Sequence, residues 1–267
     1  MDVLTARLLC DETKDFYRRF GESFSKTRRS AWPGWSRCLE VVREGLPLVE
    51  GVSVLDMACG NLRFEAFLAQ ELAPATVAAF AVDDCDALAR DAAEASATAE
   101  AAATAASTFA LRYQSLDILE TLFAGASLPD AIDAPSCDLS VCFGFMHHVP
   151  LPEQRVAVLD ALVAKTRPGG FVAVSFWRFL DDEAYAVKAR AEHGQATLEL
   201  GLPPLPDNDC VLGWQGQPRA HRYCHSFTEE ELDALVEGLR GRAVEAARFR
   251  ADGRKGQMNS YVILQVL

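Results

Sequence analysis

The fold of this chain is decided by the stretch Val54-Leu55-Asp56-Met57-Ala58-Cys59-Gly60-Asn61-Leu62-Arg63. Its apolar start predicts a buried strand, its small residues predict a tight loop, and the residues that follow predict a helix. Gly60 has no side chain, so a ligand can approach the loop backbone closely, and the free N–H groups at the start of the helix would face that ligand. This order of elements favours a nucleoside cofactor at the strand end, and the alternative is a simple tight turn.

The alternation of strand and helix continues on the C-terminal side of this stretch. We predict strands at 52–55, 76–82, 109–113, 139–143 and 171–176, and helices at 64–72, 85–107 and 152–166. The segment 85–107 is alanine-rich and is predicted to be helical because alanine has the highest helix propensity. Strands that alternate with helices predict an α/β fold with a doubly wound, mostly parallel, Rossmann-like sheet.

Three further segments flank this core. Residues 1–50 are predicted to be helical, with a break at Trp32-Pro33-Gly34. The many prolines and glycines between 178 and 225 predict an irregular cap insertion. Near the C-terminus, Thr228 and Glu231 form a predicted capping box for a helix, and two strands are expected at 244–249 and 261–266. The expected division is therefore 1–50 (helical segment), 51–177 (cofactor-binding core), 178–226 (cap and substrate segment) and 227–267 (completion of the sheet).

The composition restricts the location and the partners of the protein. The net charge of −12 opposes nucleic acid at long range, although Lys26, Arg28 and Arg29 form one candidate basic patch. The eight cysteines include no CxxC pair, so we expect free thiols in a reducing compartment and no metal site. No run approaches the roughly 18 apolar residues of a membrane span, and the N-terminus lacks a signal-peptide core. We therefore expect a cytoplasmic protein without membrane contact.

Acidic residues follow successive predicted strands, where the polar groups of a cofactor would lie. Asp56 precedes the small-residue loop, and an acid there favours S-adenosylmethionine over a dinucleotide. The loop also lacks the three-glycine fingerprint of nicotinamide enzymes. Asp83 stands at about the spacing of a ribose-binding acid, and Asp117 could accept from an adenine amino group flanked by Ile118. The alternatives are helix capping for Asp83 or Asp84 and a turn for Asp117. The expected cofactor-binding residues are Asp56, Ala58, Cys59, Gly60, Asn61, Arg63, Asp83, Asp84, Asp117, Ile118 and Phe143.

Four further residues are candidates for catalysis. The fourth strand leads into His147 and His148, and the carboxyl end of this strand faces the reacting centre in a doubly wound sheet. Either histidine is a candidate base or orienting group, and the alternative is that they pack and satisfy a loop carbonyl. Arg28 and Arg222 are candidates to hold an anionic acceptor or the carboxylate of the cofactor, because guanidinium pairs bidentately with such groups.

Residues 50–177 resemble the class I S-adenosylmethionine-dependent methyltransferases. The stretch from Asp56 to Asn61 is similar to their first motif, Asp83 to their second-strand acid, and Arg167-Pro168-Gly169-Gly170 to their fifth-strand motif. The resemblance implies S-adenosylmethionine as cofactor and in-line transfer of a methyl group to an oxygen or nitrogen acceptor. Ala58 and Leu62 depart from the motif, which usually has glycines at these positions.

The two ends of the chain resemble a narrower group, the tRNA wobble-uridine methyltransferases that esterify a carboxymethyl group. The similar segments are Phe24-Ser25-Lys26-Thr27-Arg28, His221-Arg222-Tyr223-Cys224-His225-Ser226-Phe227 and Asn259-Ser260-Tyr261-Val262-Ile263. This resemblance implies a modified tRNA uridine as acceptor and a small zinc-binding partner protein as activator. A small-molecule methyltransferase remains the first alternative, and a non-catalytic cofactor-binding module the second.

Overall fold

The computed structural model describes residues 1–28, 30–46, 48, 51–73, 75–85, 88 and 109–267. Within them the helices are α1 (Val3–Lys26), α2 (Pro33–Gly45), α3 (Arg63–Glu71), α4 (Ile118–Phe123), α5 (Leu128–Ala131), α6 (Pro152–Ala164), α7 (Glu183–Leu200) and α8 (Glu229–Glu237). The strands are β1 (Val52–Met57), β2 (Val77–Asp83), β3 (Phe109–Ser115), β4 (Cys137–Cys142), β5 (Thr166–Trp177), β6 (Asp209–Leu212), β7 (Arg222–His225), β8 (Ala243–Ala251) and β9 (Asn259–Val266). Apart from positions 85 and 88, the helix predicted at 85–107 lies outside the described residues.

A doubly wound, mostly parallel sheet forms the centre of the molecule, which confirms the predicted fold class. The strand order is β3-β2-β1-β4-β5-β9-β8. The first five strands pair in parallel, and β9 and β8 are antiparallel additions. The chain direction across the sheet reverses between β1 and β4, and ligands of such folds bind at the carboxyl ends of the strands beside this switch point.

Apolar residues cover both faces of the central strands. Val54 and Ala173 pack into the core beneath α2 and α3, whereas their neighbours Leu55 and Val172 pack into the core beneath α6 and α8. This alternation follows from the strand geometry, since successive side chains point to opposite faces. Both faces being covered explains why the strands are nearly continuous apolar runs. Among the described residues of these strands, the polar groups that line a cavity are found at the carboxyl ends.

The prediction of an irregular cap over 178–226 needs correction. Residues 183–200 form the regular helix α7, and β6 and β7 pair as an antiparallel ribbon. The composition is misleading because the prolines and glycines are concentrated after α7, in the turns on either side of β6. Helix α1 packs against this ribbon, where the Tyr223 N–H donates to Thr13 Oγ1 at 2.9 Å. The N-terminal helix and the ribbon therefore enclose the space above the strand ends.

Several smaller expectations are confirmed. The helical N-terminal segment breaks before Pro33, which is the first residue of α2. The capping box at the start of α8 is present in both directions between Thr228 and Glu231. All eight cysteines have free thiols and are buried. Among the described residues, no helix has the length and apolar character needed to cross a membrane.

Candidate active site

A cavity of about 860 Å³ lies over the carboxyl ends of β1 to β4, beneath α1 and the β6–β7 ribbon. Its walls include every residue that the sequence predicts for the site: Arg28, Asp56, Ala58, Cys59, Gly60, Asn61, Arg63, Asp83, Asp84, Asp117, Ile118, Phe143, His147, His148 and Arg222. The fold thus brings residues from both ends of the chain into one space. The contacts of each residue determine what it can do in this cavity.

Asp83 fixes the loop that follows β1. Its Oδ2 accepts from the Gly60 N–H at 2.9 Å, and its Oδ1 accepts from the Cys85 N–H at 2.9 Å. The second contact shows that Asp83 also satisfies the backbone just after β2, as the capping alternative requires. Each carboxylate oxygen has a further lone pair, so the residue can still accept hydrogen bonds from a ligand. Burial raises the pKa of Asp83.

The small-residue loop holds three residues in the left-handed backbone region. The φ angles are 65° at Ala58, 58° at Gly60 and 53° at Leu62. This conformation costs a residue with a Cβ about 1–2 kcal/mol. Leu62 offsets the cost by burial, because its fully buried side chain packs against Cys59 and Ala81. The loop therefore has the backbone shape of a glycine-rich loop, although Gly60 is the one glycine among these three residues.

Replacing Ala58 with glycine is expected to stabilise the protein by about 0.5–1 kcal/mol, because glycine adopts positive φ without strain. Urea unfolding monitored by circular dichroism measures the difference. The matched control is Ala66→Gly in the regular part of α3, which should destabilise by a similar amount. A loss of stability in Ala58→Gly would show that the loop is not strained at this position.

Acidic side chains line one half of the cavity, which we call the acidic half: Asp56, Asp83, Asp84 and Asp117. Burial and the neighbouring Asp117 and Asp83 raise the pKa of Asp84 to about 6. Asp117 is already engaged by the protein, since its Oδ1 caps α4 through the Glu120 N–H at 2.8 Å and its Oδ2 pairs with Lys14. The structure thus shows Asp117 as a helix cap, a role that differs from both the adenine contact and the turn considered from the sequence.

Asp56 differs from the other acids because no described group neutralises it. It is 4% exposed, and its Oδ1 has no hydrogen-bond donor among the described residues. Burial and the adjacent Glu65 raise the pKa of Asp56 well above its ordinary value. An uncompensated buried acid is costly, so a cationic ligand group beside Asp56 would be stabilised there.

Three arginines line the other half of the cavity, the basic half: Arg28, Arg63 and Arg222. Arg222 is 5% exposed, and its guanidinium carbon lies 5.1–5.5 Å from the ring centres of Phe16, Phe24 and Trp214. Its Nη1 has no hydrogen-bond partner among the described residues. Its guanidinium pairs with no described carboxylate. Burial and the nearby Arg28 lower the pKa of Arg63 to about 10. Asp252 also lines the cavity and its charge acts on Arg63, but none of the three guanidinium groups forms an ion pair with a carboxylate among the described residues.

The two histidines sit between these halves and are held as neutral rings. His148 Nδ1 lies 2.7 Å from the Tyr223 carbonyl, so this nitrogen carries the proton, and Nε2 accepts from the Tyr17 hydroxyl at 2.9 Å. Burial lowers the pKa of His148 to about 3. Burial and the positive charges of Arg222 and Arg28 also lower the pKa of His147 well below its ordinary value. These pKa shifts make both rings weak bases, which argues against the predicted role as general base.

Cys224 completes a cluster with the two histidines, in which the possible metal-ligating atoms lie within 4.8 Å of one another. Both ring nitrogens of His148 are already hydrogen-bonded, and burial raises the pKa of Cys224 to about 12. A metal bound here would have to displace the thiol proton and one of the two hydrogen bonds of His148. The geometry favours a hydrogen-bonded support for the cavity wall.

Sequence reasoning missed two residues of this site. Tyr17 follows Phe16 in α1, where Phe16, Phe20 and Phe24 recur every fourth residue, a pattern that predicts only helix packing. Glu65 stands in the first turn of α3, where an acid is an ordinary partner of the helix dipole. Its burial at 2% exposure against Asp56 depends on how α3 packs on β1. No local signal could reveal that contact.

No family model matches the sequence, and no curated protein sequence matches it. Solved structures do match the fold. An S-adenosylmethionine-dependent methyltransferase from Methanosarcina mazei is 16% identical with a TM-score of 0.60, over 85% of this chain and 97% of that one. Another from Clostridium acetobutylicum is 13% identical with a TM-score of 0.56, over 94% and 98%.

A third structure is the 1,6-didemethyltoxoflavin-N1-methyltransferase of Burkholderia thailandensis, with bound 1,6-didemethyltoxoflavin and S-adenosylhomocysteine. It is 16% identical with a TM-score of 0.51, over 94% of this chain and 84% of that one. The chain thus has the Rossmann-like fold of S-adenosylmethionine-dependent methyltransferases. None of these three structures is described as a tRNA-modifying enzyme, so the narrower resemblance gains no support from them.

Proposed function

We propose that this protein is an S-adenosylmethionine-dependent methyltransferase. The observation that carries the proposal is the division of one cavity at the switch point into an acidic and a basic half. S-adenosylmethionine has a matching charge pattern, with an ammonium, a sulfonium and ribose hydroxyls to face acids and a carboxylate to face arginine. A dinucleotide could also place a ribose at Asp83, but it would bring its phosphates to the loop beside Asp56.

Each wall of the cavity has a part in holding the cofactor. Asp83 would accept hydrogen bonds from the ribose hydroxyls while it holds the Gly60 loop. Asp56 would face the ammonium, and Arg63 would pair with the carboxylate beside Asn61, whose Oδ1 lies 3.2 Å from Arg63 Nε. Phe143 at the end of β4 and Ile118 after β3 supply apolar surface.

The chemistry follows from what the residues around the acceptor can do. S-adenosylmethionine supplies a methyl group on a positively charged sulfur, ready for in-line displacement. His147 and His148 cannot remove a proton efficiently, since burial holds both pKa values low. Arg222 and Arg28 would orient an acceptor that already carries a negative charge. Alignment of this kind can supply roughly 7–11 kcal/mol of the barrier reduction.

In this proposal, the methyl group is transferred to a small molecule that carries a carboxylate or another anionic oxygen. Arg222 is almost fully buried, so the anion must reach deep into the cavity. A second candidate is a carboxymethylated tRNA uridine. It is favoured by the meeting of Arg28 and Arg222 in this cavity, because the two segments that resemble the tRNA enzymes carry these residues. The net charge of −12 favours the small acid.

Transfer of label from methyl-tritiated S-adenosylmethionine tests this proposal. The panel pairs carboxylic and phosphonic acids with the amide or alcohol of the same skeleton, and includes unmodified and carboxymethylated tRNA. We expect label in acids only, in a product that base hydrolyses. A plot of kcat against pH should show no inflection near the ordinary pKa of histidine. Label in tRNA would select the second candidate, and label in the neutral partners would contradict an anionic acceptor.

A further inference from the structure

Glu65 and Asp56 form a pair of buried carboxyl groups behind the cofactor side of the cavity. Glu65 is 2% exposed and Asp56 is 4% exposed. Asp56 lines the cavity, whereas Glu65 lies behind it on α3. Asp56 Oδ1, Glu65 Oε1 and Glu65 Oε2 are all buried without a donor among the described residues. The two carboxyl groups interact side chain to side chain, and two such acceptors with no donor among the described residues are stabilised by a proton between them.

The groups around the pair strengthen this effect. The titratable neighbours are Asp83 from β2, Cys59 from the loop and Cys142 from β4. None of these groups is a cation. Burial raises the pKa of Glu65 to about 7, and burial together with the adjacent Glu65 raises the pKa of Asp56 well above its ordinary value. The pair therefore retains at least one proton at neutral pH when nothing cationic lies in the cavity.

We propose that Glu65 is a positioning residue that shares a proton with Asp56 in the empty cavity and loses it when the cofactor ammonium binds. This inference rests on the proposed function, since the cation is that of S-adenosylmethionine. The ammonium stabilises the ionised pair, and the displaced proton passes to solvent. Cofactor binding is then coupled to proton release, and Glu65 sets the pH at which the coupling operates.

The direction of the pH dependence follows from this exchange. The empty protein binds more protons than the complex, so raising the pH favours the complex. Below the pKa of the pair, Kd for S-adenosylmethionine should fall by up to about tenfold for each pH unit gained, and it should become constant above that pKa. In Glu65→Gln the side-chain amide can donate a hydrogen bond to Asp56, and position 65 no longer carries a titratable group. Its Kd should change far less with pH.

Calorimetric titration of S-adenosylmethionine in phosphate and in Tris buffer tests the proton release. The two buffers differ in ionisation enthalpy, so the difference in binding heat gives the number of protons released. We expect net release by the wild type near neutral pH and most of it lost in Glu65→Gln. The matched control is Glu71→Gln, an exposed acid on the same helix, which should behave like the wild type. Equal release by wild type and Glu65→Gln would overturn the inference.

Infrared difference spectra without cofactor separate this inference from the proposed function. Wild type and Glu65→Gln are compared between about pH 5 and pH 9, where a buried protonated carboxyl gives its own carbonyl band. We expect that band in the wild type at neutral pH and its loss in the variant. A folded protein that has this band but binds no S-adenosylmethionine would contradict the function and the coupling, yet leave the shared proton intact. Two ionised carboxylates across the whole range would overturn the shared proton itself.

Discussion

Replacing Arg222 with methionine should raise the free energy of unfolding by about 1–4 kcal/mol. The Arg222 guanidinium is buried among Phe16, Phe24 and Trp214, and its Nη1 has no hydrogen-bond partner in the part of the chain that the structure describes. Methionine fills a similar space in this aromatic surrounding and removes a buried charge that no described carboxylate neutralises, a gain that exceeds the loss of the three cation–π contacts. The protein retains the arginine at a cost in stability, which is expected of a residue kept for a ligand.

Urea unfolding of the wild type and Arg222→Met measures this gain, and thermal unfolding should show a rise of roughly 2–4 °C per kcal/mol. The matched control is Arg242→Met, since Arg242 is 47% exposed and pairs with Asp160 at 2.7 Å. The control should stay within about 0.5 kcal/mol of the wild type. A marked loss of stability in Arg222→Met would mean that the cation holds the fold together, and the anion site would lose its main support.

Asp83→Ala is expected to raise Kd for S-adenosylmethionine by at least about 100-fold, because hydrogen bonds to a charged group are worth about 1.5–3 kcal/mol each. The variant loses the acceptor of the Gly60 and Cys85 N–H groups as well as the proposed ribose contact. The loop and the ligand contact are thus disrupted together. Calorimetric titration gives the affinity, and circular dichroism confirms that the variant folds.

Asp133→Ala is a suitable control for Asp83→Ala because Asp133 is exposed and does not line the cavity. It should bind S-adenosylmethionine as the wild type does. Asp83→Asn adds a second comparison, since an amide oxygen can still accept from one of the two N–H groups. Its Kd should lie between those of wild type and Asp83→Ala. Wild-type affinity in a folded Asp83→Ala would contradict the position assigned to the cofactor.

The sheet could be predicted because its signals are local. Each parallel strand is a short apolar run, and the acid and small residues after β1 mark a strand end. Helix α7 escaped prediction since the prolines and glycines that follow it dominate the composition of 178–226. Its apolar positions show little periodicity, so the helix is recognisable only once it packs against β6.

The site could be predicted where a residue type alone fixes the chemistry, as at Asp83 and Gly60. The properties of His148 depend instead on burial by Tyr17 and Tyr223, residues that are distant in sequence. This burial turns a candidate base into a neutral hydrogen-bonding group. The pairing of Glu65 with Asp56 is likewise a product of tertiary packing. Sequence therefore located the cavity, whereas the protonation states required the structure.

Titration of the purified protein with S-adenosylmethionine by isothermal calorimetry tests the central claim most directly. We expect one molecule bound per chain with Kd in the micromolar range, and binding of S-adenosylhomocysteine at the same site. Both ligands should compete with each other, and neither should be displaced by a nicotinamide dinucleotide. A folded protein that takes up neither ligand would contradict the account and leave the chain with the fold of these methyltransferases but without their cofactor.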